Sequence, residues 1–270
     1  MFAFLIIAGL LVFAYACRTF ENRYIAKLGW LALLAATYLG GYFLSGSHVA
    51  GAASVSLWFM LPWVEILGRV RQLRIPLKNE VSHRFPPSRD IFPNLGEISR
   101  EVEEMAFTEA ENTGWRWDEA DHFVRLFYHA ESRTQAAVSL AQQKEFAVSY
   151  VSVTSRAMDG RIFTTSNYPF SYTMKFSPEH KLNRFVAAES FEELMDAHRD
   201  FLDDNEITTE MLAEQDTDHL GDGLATDMQQ QIQHNVSVGV LEPAGEDVFR
   251  YTWRGCWFLW LQVVKDMIRV

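Results

Sequence analysis

Cysteine is scarce in this chain, with only Cys17 and Cys256 among 270 residues. One closes an apolar run and the other stands among tryptophans, so the pair offers neither a disulfide framework nor a metal-ligand spacing, and the redox compartment is left open. Basic residues are in deficit as well: 24 Lys and Arg face 35 Asp and Glu, for a formal net charge of −11. Such a surface repels a phosphate backbone, which argues against nucleic acid as a partner. The sequence also lacks a phosphate-cradling glycine loop, a nucleophile elbow, an HExxH pair, an internal repeat and a low-complexity tract. These gaps lower the expectation of an enzyme and give no cofactor to expect.

Charge is nearly missing from the first 64 residues, which hold only Arg18, Glu21, Arg23 and Lys27. Residues 1–17, 28–44 and 49–64 are apolar or weakly polar runs, each close to the roughly 17–25 residues a helix needs to cross a bilayer. Helix satisfies its own backbone where water is absent, so the spacing predicts three transmembrane helices at about 1–17, 28–45 and 49–68, forming an anchor over residues 1–70. A secretory signal is the rival for the first run, but it would need a basic lead-in and this run starts at Met1 with none. Arg18, Arg23 and Lys27 fall between the first two runs, and Arg69, Arg71, Arg74 and Lys78 follow the third. By the positive-inside rule the amino terminus is expected outside and the large remainder in the cytoplasm, as at a bacterial inner membrane.

Within the second run Ala32, Ala36 and Gly40 recur every four residues. Such a small-residue stripe lets a helix approach closely, whether from the same chain, a second copy or a protein partner. Glu65 stands one turn before Arg69, which favours an interfacial ion pair over an ion path.

Residues 71–94 carry four prolines and read as a connector. Residues 95–270 read as a soluble α+β domain with an antiparallel sheet. Asn94 with Glu97 forms a capping-box pattern, and the helix it opens is expected to run toward Gly114. From 122 to 130 the period falls to two, with Val124, Leu126 and Tyr128 opposite Phe123, Phe127 and His129. Residues 136–141 and 146–157 continue as strands, and Asp159-Gly160 is a hairpin signal. Ser190 with Glu193 is a second capping box, and another helix is expected over 218–234. Residues 236–241 and 248–253 read as a last hairpin around Glu242-Pro243-Ala244-Gly245, followed by a terminal helix over 256–268. Trp253, Trp257 and Trp260 make that helix fit either a membrane surface or a core position over the sheet.

Four groups of residues carry candidate chemistry. His129 and His198 are candidates for a general base and its partner, against the commoner reading of histidines hydrogen-bonded within a core. Arg156, Asp159, Arg161 and Asn167, with Thr164, Thr165 and Ser166, cluster around one hairpin and offer donors for a phosphate or carboxylate, although turns collect such residues for backbone reasons. Asp216, Asp218, Asp222 and Asp227 fall on a calcium-loop template that Leu220 interrupts at its fifth position. Ala32, Ala36, Gly40 and the three terminal tryptophans are the candidate membrane or partner contacts. The leading expectation is a membrane-anchored binding or scaffolding module, with a membrane-bound enzyme acting on a lipid-derived or phosphorylated substrate as the alternative.

Overall fold

The computed structural model describes residues 2–20, 23–76, 81–117, 120–143 and 146–269, so Met1, Glu21 and Lys78 of the topology argument lie outside the described residues, as do the side chains of Arg23 and Arg269. In chain order come helices α1 (Phe2–Arg18), α2 (Arg23–Ser45) and α3 (His48–Gly68), then strands β1 (Ile75–Pro76) and β2 (Ser82–His83). Helix α4 (Leu95–Glu104) precedes β3 (Thr108–Trp117), β4 (Ala120–His129), β5 (Thr134–Gln143), β6 (Phe146–Arg156), β7 (Ile162–Ser166) and β8 (His180–Arg184). Helices α5 (Phe191–Asp204) and α6 (Leu220–Ser237), strands β9 (Leu241–Gly245) and β10 (Val248–Tyr251), and helix α7 (Trp253–Arg269) complete the chain.

Two compact units emerge, one joining residues 1–72 to 256–270 and the other formed by 73–255. In the first, Tyr24–Ser45 and His48–Gln72 are long and apolar enough to cross a membrane, while α1 is a shorter apolar helix. Close helix approach is made by glycine: a Cβ on Gly29 would meet the Ala14 carbonyl at 3.0 Å, and one on Gly41 would meet the Ala50 carbonyl at 2.8 Å. Polar side chains add specific links between α2 and α3, with Trp58 Nε1 donating to Thr37 Oγ1 at 3.1 Å and Tyr38 Oη paired with His48 Nδ1 at 2.6 Å. Glu65 and Arg69 form the expected surface pair at 3.5 Å. The terminal helix, expected as the end of the soluble domain, belongs from Cys256 onward to this unit. There Trp260 Nε1 donates to the Phe59 carbonyl at 2.6 Å, and the Trp63 ring meets Trp257 and Trp260 edge-on at 5.7 and 6.3 Å.

The second unit is α+β. Its main sheet has seven strands in the order β2-β3-β4-β5-β6-β7-β8, antiparallel except for the parallel β7–β8 pair. A small sheet, β1-β10-β9, accompanies it, so the stretch expected as a connector contributes a strand to each sheet. Alternation along the strands sorts side chains to two faces. Phe123, Phe127, Val138, Leu140, Val151 and Val153 pack on one face with Leu95 and Val102 of α4 and Phe191, Leu194 and Met195 of α5. The other face carries Trp115, Val124, Leu126 and Tyr128 against Leu220 of α6.

Several boundaries differ from the expectations for local reasons. Helix α4 stops at Glu104 because Ala106 turns into the left-handed region, at φ 62°, and the chain reverses into β3. Gly114 is therefore a strand residue, and a Cβ there would collide with the His122 carbonyl. Asn94 makes no side-chain cap, so the first capping box does not form. The second does: Ser190 accepts from Glu193 N at 3.2 Å, and Glu193 Oε2 returns a contact to Glu189 N at 2.9 Å. Helix α6 continues to Ser237, and the last turn falls at Glu246-Asp247, with Asp247 at φ 57°, so 242–245 lies within strand β9 instead of forming the turn.

Candidate functional site

The period of two divides the hairpin cluster between opposite faces of the sheet. On the apolar side, Thr165 joins Thr134 and Ser155 around His198, which is fully buried. His198 Nδ1 pairs with Thr165 Oγ1 and Nε2 with Ser155 Oγ, both at 3.0 Å, and Ser155 Oγ in turn meets Thr134 Oγ1 at 3.1 Å. Burial lowers the imidazole pKa to about 4, so the ring is neutral at pH 7. His129 has its own partner, Ser132 Oγ at 2.7 Å, and its ring lies 5.1 Å from Phe107. Each candidate imidazole thus has separate hydroxyl partners, and the two do not form a base and its orienting group.

The proposed anion site is split in the same way. Asp159 and Arg161 pair with each other at 2.8 Å at the exposed hairpin tip, where the carboxylate also accepts from Arg161 N at 3.1 Å. The latter bond leads the effects that hold the Asp159 pKa below the usual carboxylate value. Asn167 serves the backbone, accepting from Val151 N at 2.7 Å. Arg156 is engaged in a two-pronged pair with Asp227 of α6, Nη1 donating to Oδ1 at 2.8 Å and Nη2 meeting Oδ2.

That pair also dismantles the calcium template. Asp227 sits inside α6, Asp216 caps Asp218 N at 3.1 Å, and Asp222 contacts His219 at 3.1 Å. Among the described residues no group of three or more His, Cys, Asp or Glu is placed to hold a metal ion. In the helical unit Ala32 and Ala36 are buried, but Gly40 has no neighbour within 4 Å of a Cβ position, and the close approach lies one residue on, at Gly41. Trp257 and Trp260 contact Trp63, while Trp253 is exposed.

The second face of the sheet holds what sequence reading missed. Beneath α6 lies a cavity of about 210 Å³ whose floor is built from hydroxyl and amide side chains on three successive strands. Register explains the floor: Gln135 opposes Thr154, Ser139 opposes Tyr150, and Thr154 opposes Thr164, the residues from each strand standing an even number of positions apart and so on one face. Ser152 and Ser166 form the next cross-strand pair and line the same space. The thirteen residues joining the parallel strands β7 and β8 supply aromatic lining in Tyr172 and Phe176. Their rings stand 4.8 Å apart, edge to face, and Phe176 meets His180 at 4.7 Å. Asn235 of α6 pins this crossover by accepting from Lys175 N at 2.9 Å and donating to Lys175 O at 2.8 Å.

Ionisation in the cavity is restrained. Burial pushes the Tyr172 phenol up to about 12 and raises that of Tyr150, while it lowers the pKa of His180. His180 Nε2 pairs with Thr164 Oγ1 at 2.9 Å, and Thr164 with Thr154 at 3.0 Å, giving a short hydrogen-bonded chain. Two buried polar atoms on the lining, Gln135 Oε1 and Trp115 Nε1, have no hydrogen-bond partner among the described residues. Arg156 and Asp227 line both this cavity and an open depression of about 410 Å³.

No protein-family model, curated protein or solved structure matches this chain. Function therefore has to be argued from the site. A sequence signal for it existed in the polar residues that alternate with apolar ones in β5 and β6, but the same pattern describes a solvent-facing sheet surface.

Proposed function

We propose that this chain is a membrane-anchored binding module that holds a small polar ligand in the cavity between its seven-stranded sheet and α6. The observation that carries this reading is the pairing of a hydroxyl-lined floor with two buried, unpartnered polar atoms on the same lining. Buried polar groups are ordinarily hydrogen-bonded, so such atoms mark where an outside partner belongs.

Three membrane-spanning helices, α1, α2 and α3, form the anchor in this reading. At 17 residues α1 is about 25 Å long, near the thickness of a hydrocarbon core. The basic residues around Arg18 and Arg71 favour an external amino terminus and a cytoplasmic binding unit, as at a bacterial inner membrane. Exposed faces of the helical unit, including Leu31 and Val64, suit lipid or a second membrane protein.

Native mass spectrometry of the full chain extracted from its membranes tests the reading. Wild type is expected to carry a small molecule that an Ala137→Phe variant, which fills the cavity, does not retain. Loss of that molecule only in a variant that stays folded supports the proposal. Identical small-molecule content in both folded proteins would refute it. Resistance of the chain to alkaline carbonate extraction checks the anchor separately, and release into the wash would remove it.

A further inference from the structure

Charge, hydrogen-bonding capacity, shape and size in the cavity beneath α6 limit what it can hold. Its charged side chains, Arg156 and Asp227, neutralise each other through a two-pronged pair. The remaining titratable groups on the lining, His180, Tyr150 and Tyr172, are shifted by burial toward their uncharged forms. A charged ligand would enter without a counter-charge and bear the full desolvation cost.

The polar lining instead offers a buried acceptor, Gln135 Oε1, and a buried donor, Trp115 Nε1, beside the hydroxyl rows of β5, β6 and β7. Both residues are more than nine-tenths buried, with 6% and 8% of their surface exposed. The Tyr172 and Phe176 rings and the Leu224 and Met228 side chains line the same space and suit C–H groups rather than further hydroxyls. A volume of about 210 Å³ corresponds to roughly seven waters at about 30 Å³ each, room for one six-membered ring with its substituents.

We infer that the cavity is a binding site for a single uncharged polyhydroxylated ring, of monosaccharide or cyclitol size, with its hydroxyls toward Gln135 and Trp115 and a C–H face toward Tyr172 and Phe176. This rests on the binding-module reading and adds the ligand class to it. The floor supplies paired donors and acceptors, the aromatic side chains supply an apolar face, and the Arg156–Asp227 pair lines the site without leaving a net charge on it.

The test is isothermal calorimetry on the full chain in a detergent without a sugar headgroup, with myo-inositol, glucose and galactose as probes and glucose 6-phosphate and glucuronate as charged comparators. At least one neutral probe is expected to bind at least tenfold tighter than the charged compounds and to raise the melting temperature. Gln135→Met is expected to weaken that binding about tenfold or more, because it removes a buried hydrogen-bond partner from the ligand. Ser152→Ala serves as a second variant should the first fail to fold. Tight binding of methyl glucoside would extend the same chemistry to a glycolipid headgroup, whereas binding confined to the free sugar would indicate a soluble ligand.

Charged probes that bind as tightly as neutral ones, with sensitivity to Gln135→Met, would overturn the ligand class and leave the binding-module reading intact. A bound molecule of another class in native mass spectrometry, with no response to any neutral probe, would do the same. Absence of any ligand, with Ala137→Phe simply stabilising the chain, would sink both and leave the cavity as a site for ordered water.

Discussion

Trp260 Nε1 donates to the carbonyl oxygen of Phe59 at 2.6 Å, one residue after the Trp58 carbonyl that Pro62 deprives of its usual intrahelical donor. A proline inside a helix weakens the ladder around it, and a side-chain donor from another helix can engage the affected stretch. Trp260→Phe keeps most of the ring contact with Trp63 and removes the donor. It is expected to destabilise the helical unit by about 0.5 to 1.5 kcal/mol, the usual net range for one intramolecular hydrogen bond. Denaturant titration of the detergent-solubilised chain measures this, and an unchanged midpoint would count against the bond.

The glycines of α2 give a sharper contrast. A Cβ on Gly41 would press on α3 at Ala50, whereas one on Gly40 meets nothing within 4 Å. Gly41→Ala is therefore expected to weaken packing by about 1–3 kcal/mol, the usual range for overpacking. Gly40→Ala should be neutral or stabilise by up to about 1 kcal/mol through helix propensity. The same titration separates the two.

His198 sets a pH dependence with a defined sign. Its folded pKa of about 4 lies below the ordinary histidine value of 6.5, so the unfolded chain binds the proton first as pH falls. Its stabilising contribution is complete above pH 6.5 and is lost between that value and about pH 4, amounting to about 3 kcal/mol. His180 and His122 are shifted in the same direction by burial. Comparing wild type with His198→Asn isolates the one site, and the variant should show a shallower loss of stability in that window.

The Arg156–Asp227 pair is mostly buried, with side-chain exposures of 21% and 19%. Asp227→Ala leaves the guanidinium without its counter-charge and is expected to cost about 2–4 kcal/mol, somewhat less than for a fully enclosed pair. A double-mutant cycle with Arg156→Met should recover part of that loss as coupling energy. Because Asp227 is held by arginine, millimolar calcium is expected to shift the melting temperature by less than about 1 °C.

The parts of this architecture written in local pattern were legible beforehand. Helices α2 and α3 are long apolar runs, α5 is announced by Ser190 and Glu193, and the alternation around Val124 identifies β4. What escaped depends on partners far away in sequence. Strand β8, His-Lys-Leu-Asn-Arg, has no apolar alternation and exists through its parallel pairing with β7. Arg156 belongs with Asp227, 71 residues later, instead of with Asp159 and Arg161 nearby. The hydroxyl rows of Gln135, Ser139, Thr154 and Thr164 look like a wet sheet surface until α6, more than fifty residues on, covers them.

Because residues 256–270 group with residues 1–72, the helical unit is interrupted in sequence by the whole of the other one. During synthesis Phe59 and Trp63 of α3 are made well before Trp257 and Trp260, the residues that engage them. A product truncated before Cys256 would lack the residues that engage Phe59 and Trp63, so the helical unit depends on chain added only after the other unit has been made.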